Sequence, residues 1–366
     1  MKIFYAVQAT GNGHISRAIE ILPHLKKHGE VDIFLSGSNA TLPANLPVRY
    51  RSSGLSLFYS KCGGLDFRRT WKDNSILRAK REAMQLPVEK YDIVINDFEY
   101  ITSQACQVKN IPSVQFGHQA SFISSNTPRP VKRNHFGELV LKKYAPATSY
   151  IGLHFQPYDD FIFPPVVKSF FINNEPVNNR HITVYLPAYQ KHCIEKCFTA
   201  LQGIEFHWFL FGINDVERVG NITFFPVDNQ LFNESLLTCE GLITGGGFET
   251  PSEALYLGKK LMSIPIRAQY EQQCNAAALN QMGITILNEA TTPGFSSQII
   301  EWLSRKQPRI KQPANNIKET LEYLVDYYPS RKSGRVNISP AHASNNNPAL
   351  FTNINVKDPG VIGQIS

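Results

Sequence analysis

The chain has 366 residues, 42% of them hydrophobic, and a formal net charge of +7. That length holds two domains of ordinary size, each with an apolar core of its own. It contains no apolar run near the ~18 residues that a membrane-crossing helix needs, which excludes a span of that kind.

The N-terminal KIFYAV (2–7) is a short apolar strand, and MKIFYAVQATGNGH lacks the long apolar stretch and cleavage site of a secretory leader. A glycine-rich turn, TGNGH, leads into ISRAIEILPHLKKHG, where Ile15, Ala18, Ile19 and Leu22 recur at helical spacing. VDIFLSG (31–37), YDIVIND (91–97) and IPSVQF (111–116) are further strands, with ITSQACQVKN a helix between the last two. Residues 49–90 hold 10 basic against 4 acidic side chains, interleaved with Leu55, Leu57, Phe58, Tyr59, Phe67 and Trp71. Such a segment suits peripheral contact with an anionic membrane, a phosphate-bearing substrate or nucleic acid; equally, it is a solvated basic face. Strands alternating with helices imply a parallel sheet covered on both faces.

NNEPVNN (173–179) is polar and turn-rich, so a linker is expected there, between one domain over residues 1–175 and a second over 176–330. The first carries 21 Lys+Arg against 14 Asp+Glu, and the second 12 against 15, so the positive charge gathers in the first half. HITVYLP, IEFHWFLFG, NITFFPV, EGLITGG, KKLMSIPI and ITILN are the strands of the second domain. HCIEKCFTALQG, a segment opening at 251 and EQQCNAAALNQMG are its helices. His192, Cys193 and Cys197 form one helical face with thiols, since no second cluster completes a metal site. The six cysteines are scattered without a CxxC pair, so reduced thiols and a cytoplasmic location are expected. From about residue 331 the chain is rich in Asn, Ser and Pro and is expected to be a disordered tail.

The stretch GGGFETPSEALYLGKK (245–260) carries the first chemical signal. Thr250, Pro251 and Glu253 fit the cap, first turn and third position of a capping box. That accounts for a helix start but not for Gly245, Gly246 and Gly247. Bare backbone in front of a helix N-terminus makes an anion site, with N–H groups and the helix dipole aimed at the ligand. After the next strand, Glu271, Gln272 and Asn275 open another helix, and a carboxylate beside an amide can grip vicinal hydroxyls. A phosphate site next to a hydroxyl site implies a sugar joined to a phosphate.

The run GGGFETPSEALYLGKKLMSIPIRAQYEQQCNAAALNQMG resembles the donor-binding signature of two-domain glycosyltransferases. It is similar to that of the bacterial N-acetylglucosaminyltransferase of peptidoglycan synthesis and of UDP-sugar transferases acting on small molecules. The close match covers about 40 residues. TGNGHISRA is similar to the N-terminal loop of those families, and the rest agrees only as an order of strands and helices. Lys259-Lys260 departs from the usual Gly-x-Pro step, and Glu271 stands where Asp is commoner.

The resemblance implies a GT-B fold, α/β with two Rossmann-like domains facing across a cleft. It implies that Gly246, Gly247 and Phe248 face a diphosphate, that Glu253 binds ribose, and that Glu271 and Gln272 bind the sugar, with Asn275 and Arg267 on the same donor side. It further implies His14 as the base that takes the acceptor proton and Asp97 as its orienting partner. Gly13 and His118 fall on the acceptor side, and His118 competes with His14 for the base role. The expected activity is inverting, metal-independent transfer from a nucleotide-sugar, which is a substrate, so no cofactor is expected. The acceptor would be a lipid-linked molecule, a cell-envelope glycan or a small molecule, with no nucleic acid as partner. The alternatives are a sugar-nucleotide epimerase and a non-catalytic nucleotide-sugar or nucleic-acid binder.

Overall fold

Two seven-stranded sheets carry the chain. The computed structural model describes residues 1–37, 46–55, 75–290, 294–308, 310 and 317–328. In the first sheet, β1 (Lys2–Gln8), β2 (Glu30–Ser36), β3 (Val48–Ser52), β4 (Ile93–Asp97), β5 (Val114–Gly117), β6 (Ser149–Leu153) and β7 (Ile162–Phe163) lie in the order β3-β2-β1-β4-β5-β6-β7. Every pairing in it is parallel. The helices are α1 (Asn12–Leu25), α2 (Ile76–Gln85), α3 (Tyr100–Lys109), α4 (His135–Lys143) and the short α5 (Ser169–Ile172).

Alternation along β1 shows why the sheet is covered twice. Ile3, Tyr5 and Val7 enter a core with Ile15, Ala18 and Leu22 of α1. Phe4 and Ala6 point the other way, against Ala79 and Ala83 of α2 and Ile101 of α3. Ile19 differs from the expected helical face: it is exposed, and Ile21 is buried in its place.

The second sheet comprises β8 (His181–Tyr185), β9 (Glu205–Leu210), β10 (Glu217–Val219), β11 (Ile222–Pro226), β12 (Gly241–Gly245), β13 (Lys260–Ile264) and β14 (Thr285–Ile286), in the order β10-β11-β9-β8-β12-β13-β14. Only β10 runs antiparallel to its neighbour. With it go α6 (Lys191–Thr199), α7 (Asn229–Thr238), α8 (Glu249–Tyr256), α9 (Tyr270–Gln281), α10 (Phe295–Ser304) and α11 (Ile317–Tyr327). Phe198, Phe206, Trp208, Phe224 and Phe295 fill one face.

α11 returns to the first sheet. Ile317, Leu321 and Leu324 share the core of Ile15 and Ala18, and the Tyr328 hydroxyl donates to the Pro112 carbonyl at 2.7 Å. No described helix is long and apolar enough to cross a membrane. Leu55 packs against the first-sheet core, whereas Leu57, Phe58, Tyr59, Phe67, Trp71 and the tail from 331 lie outside the described residues. Cys106, Cys197, Cys239 and Cys274 are free thiols, but Cys193 is in a disulfide, which corrects the expectation of a wholly reduced set. Sequence spacing alone does not report which cysteines meet in space.

Candidate active site

β1 and β4 of the first sheet and β8 and β12 of the second end facing one another, where open α/β sheets place ligands. Between them lies a cleft of about 1690 Å³, including its open mouth. Gly13, His14, Gly247, Phe248, Glu271 and Gln272 are among its lining residues.

His14 sits in the first turn of α1, whose N-cap Gly11 offers no side chain to the helix. Its Nδ1 lies 2.9 Å from Asp97 Oδ1 at the end of β4. Asp97 is wholly buried. Burial opposes its ionisation, but Arg17 and then His14 outweigh that, and its pKa is lowered. Arg17 Nη2 lies 3.0 Å from the same Nδ1; in the tautomer that carries its proton on Nδ1, the ring donates to Asp97 and Nε2 is the acceptor nitrogen. Glu99, two residues on, is not a second partner. It caps α3, accepting from the N–H groups of Ile101 at 2.9 Å and Thr102 at 2.6 Å.

Two members of this network escaped the sequence reading. Arg17, 3% exposed, donates from Nη2 to Asp97 at 2.7 and 2.9 Å, and from Nε at 3.2 Å. Its Nη1 donates to Glu249 at the start of α8, so one guanidinium ties the two sheets together. The signal was present, because residues three apart on a helix share a face, as His14 and Arg17 do. Gly13 permits the approach, since a Cβ there would fall 2.6 Å from Glu249 Oε2.

The glycine loop differs in detail from expectation. α8 starts at Glu249 with Phe248 as its N-cap and no side-chain cap bond, so the Thr250–Glu253 capping box does not form. Glu253 is instead drawn into an ion pair, with Oε1 3.2 Å from Lys168 Nζ, and Lys168 also donates to Asn233 Oδ1 at 2.9 Å. Burial raises the Glu253 pKa against the pull of Lys168. The Gly246 N–H does not face the cleft either: it donates to Gln272 Oε1 at 3.0 Å, and Ile266 N donates to the same oxygen at 2.9 Å. A Cβ at Gly246 would meet Gln272 backbone oxygen at 2.8 Å, while one at Gly247 would meet nothing within 4 Å. The open helix end is therefore built by Gly247, Phe248, Glu249 and Thr250, with Gln272 holding the loop from behind.

The remaining expected residues divide clearly. Glu271 lines the cleft and accepts from Gln119 Nε2 at 2.9 Å, and burial raises its pKa. Glu253 lines an adjoining recess of about 500 Å³ with Tyr185, Phe209, Phe232 and Lys168. Asn275 is corrected from ligand to strut. It is wholly buried, its Nδ2 donates to Gly246 O at 2.9 Å, and its Oδ1 lies 2.7 Å from His118 Nε2. Arg267 is exposed, with Nη1 3.6 Å from Glu289 Oε2, and is not among the cleft-lining residues. His118 does not compete as a base. Its Nδ1 lies 3.0 Å from the Leu153 carbonyl, its ring stacks on Phe248 at 4.0 Å, and burial holds its pKa down to about 3. Among the described residues no group of three His, Cys, Asp or Glu side chains is placed to hold a metal ion.

Residues 1–300 match the family model described as glycosyl transferase family 1. The chain belongs to glycosyl transferase family 1. This transferase is 23% identical to an uncharacterised glycosyltransferase of Methanosarcina mazei, over 80% of this chain and 87% of that one. Its fold is similar to that of Arabidopsis thaliana UGT89C1 complexed with UDP, with a TM-score of 0.59, 11% identity, and cover of 90% of this chain and 99% of that one. It is also similar to glycosyltransferase VinC in complex with dTDP, with a TM-score of 0.52, 11% identity, and cover of 90% of this chain and 100% of that one. The transferase thus has the GT-B fold, two Rossmann-like units across a cleft.

Proposed function

We propose that this transferase moves a sugar from a nucleotide-sugar, with a UDP-sugar as first candidate, to an acceptor hydroxyl by single displacement with inversion. The observation that carries the reading is the His14–Asp97 pair set across the cleft from the open start of α8. UDP and dTDP in the two similar structures support a nucleoside diphosphate as the leaving group.

In this reading the units over residues 1–175 and 176–330 hold acceptor and donor respectively. The nucleoside enters the recess of Tyr185, Phe209 and Phe232, with Glu253 at the ribose. The diphosphate meets the helix end at Gly247–Thr250, whose N–H groups take up the charge that develops as it leaves, so the step needs no metal ion. Glu271 faces the sugar, and Gln272 holds the loop beside it. The acceptor oxygen bonds to the anomeric carbon as its proton passes to His14 Nε2. The bond from that carbon to the phosphate oxygen breaks, and the diphosphate carries away the electron pair.

Two measurements test this. The melting temperature should rise with UDP or another nucleoside diphosphate and not with NAD, since a ligand of the folded state stabilises it. His14→Ala should lower turnover by roughly 10²–10⁴ with donor affinity little changed. Unchanged turnover would remove His14 from the mechanism.

A further inference from the structure

Residues 129–143 present a face that the site does not use. Val131 is wholly exposed, and Phe136 and Leu139 are 71% and 56% exposed. Lys132, Arg133, Lys142 and Lys143 are exposed around them. On α4, positions 136, 139 and 143 follow three- and four-residue steps, so apolar and basic side chains share one side of the helix. The other side is packed. Leu141 is buried, a Cβ at Gly137 would strike the Tyr270 ring, and Tyr270 donates to Glu138 at 2.8 Å. Glu138 is the one acidic residue of this segment. Arg129 Nε donates to it at 2.6 Å, and Lys142 Nζ lies 3.5 Å from its second oxygen, so its charge is balanced.

We propose that this face docks the protein on an anionic membrane surface. Negative headgroups over an apolar interior match cations set around exposed Val131, Phe136 and Leu139. A free phosphate would meet the cations but leave the three apolar side chains in water. The face is separate in sequence from the basic segment 49–90, and its docking does not rest on the sugar-transfer reading. Tyr270, which packs on the opposite side of α4, is followed by the cleft-lining Glu271, so the helix lies between the docked face and that edge of the cleft.

The test is flotation of the full chain with phosphatidylglycerol/phosphatidylcholine vesicles and with phosphatidylcholine vesicles alone. The wild type should float with the anionic vesicles only, and less in high salt. Lys132→Gln/Arg133→Gln should weaken partition by about 25-fold, about fivefold for each lost cation. Phe136→Ser/Leu139→Ser should weaken it at least about tenfold. Both variants should keep the wild-type melting temperature, because the altered side chains are exposed. Absence of wild-type flotation would overturn the proposal, as would wild-type binding by both variants. Loss in the cation variant alone would also overturn it, because a surface that needs no apolar contact is not seated in a bilayer.

Discussion

Asp97→Asn tests the centre of the site with a change of charge and almost none of volume. Asp97 is wholly buried and accepts from Arg17 at 2.7, 2.9 and 3.2 Å, with His14 Nδ1 at 2.9 Å. Removing one partner of a buried ion pair costs about 3–5 kcal/mol. Arg17 keeps Glu249, and the Asn oxygen still accepts one bond, so the lower end, about 3 kcal/mol, is expected. At ~2–4 °C per kcal/mol for a unit of this size, the melting temperature should fall by about 6–12 °C. The loss should depend on pH in a set direction. The folded-state pKa of Asp97 is lowered, so its stabilisation is present above the unfolded value near ~3.9 and is lost as pH falls through the folded one. The gap between wild type and Asp97→Asn should therefore hold from pH 7 to about 4 and narrow below that. Thermal melts of both proteins across this range read the gap directly. Turnover should drop by roughly 10²–10⁴, because an amide no longer fixes the imidazole tautomer. A gap that stays constant to pH 3 would refute the ionised, Arg17-paired carboxylate.

Two further substitutions follow from close contacts. At Gly117, with φ of 151°, an added Cβ would lie 2.7 Å from Asp97 Oδ1 and 3.3 Å from Arg17 Nη2. Gly117→Ala should displace the pair and lower turnover at least about tenfold, at a conformational cost of order 1–3 kcal/mol; wild-type kinetics would show that the pair tolerates displacement. Gln272→Leu removes the acceptor shared by Gly246 N and Ile266 N, at about 1–3 kcal/mol for each amide left buried. Donor KM should rise more than kcat falls, and Gln272→Glu, which keeps the acceptor, should restore it; an unchanged KM in the Leu variant would rule out the strut role.

The architecture was legible because apolar periodicity survives in short stretches. KIFYAV and YDIVIND are buried on both faces, and such strands read as continuous apolar runs. Four strands were missed for local reasons. β3 is VRYRS, half polar; β6 carries Gly152, where Ser121 packs against the backbone; β7 has two residues and β10 three. At the site, His14, Asp97, Gly247 and Glu271 could be picked from loop position. Arg17 could not be picked so easily, because an arginine in a helix is most often a solvated one. Asn275 and Gln272 show the converse difficulty. A polar side chain beside a ligand loop looks like a ligand in sequence, whereas here one holds the loop's carbonyl and the other its amide.

The charges in the cleft bear on what His14 can do. Asp97 and Glu249 bring two carboxylates to one guanidinium, that of Arg17. With His14 neutral, the group carries a formal charge of −1, from two negative charges and one positive. Glu271 on the cleft wall is coupled to the same guanidinium. Isolated buried charge is costly, so the guanidinium between the two carboxylates is what keeps Asp97 ionised against its burial. Had Arg17 been absent, the two carboxylates would have repelled each other across the domain junction, and Asp97 would have tended to take up the proton itself. The ion pair between the two halves of the molecule thus does more than fasten them: it belongs to the charge balance that holds a buried aspartate ionised beside His14, which the proposed base role requires.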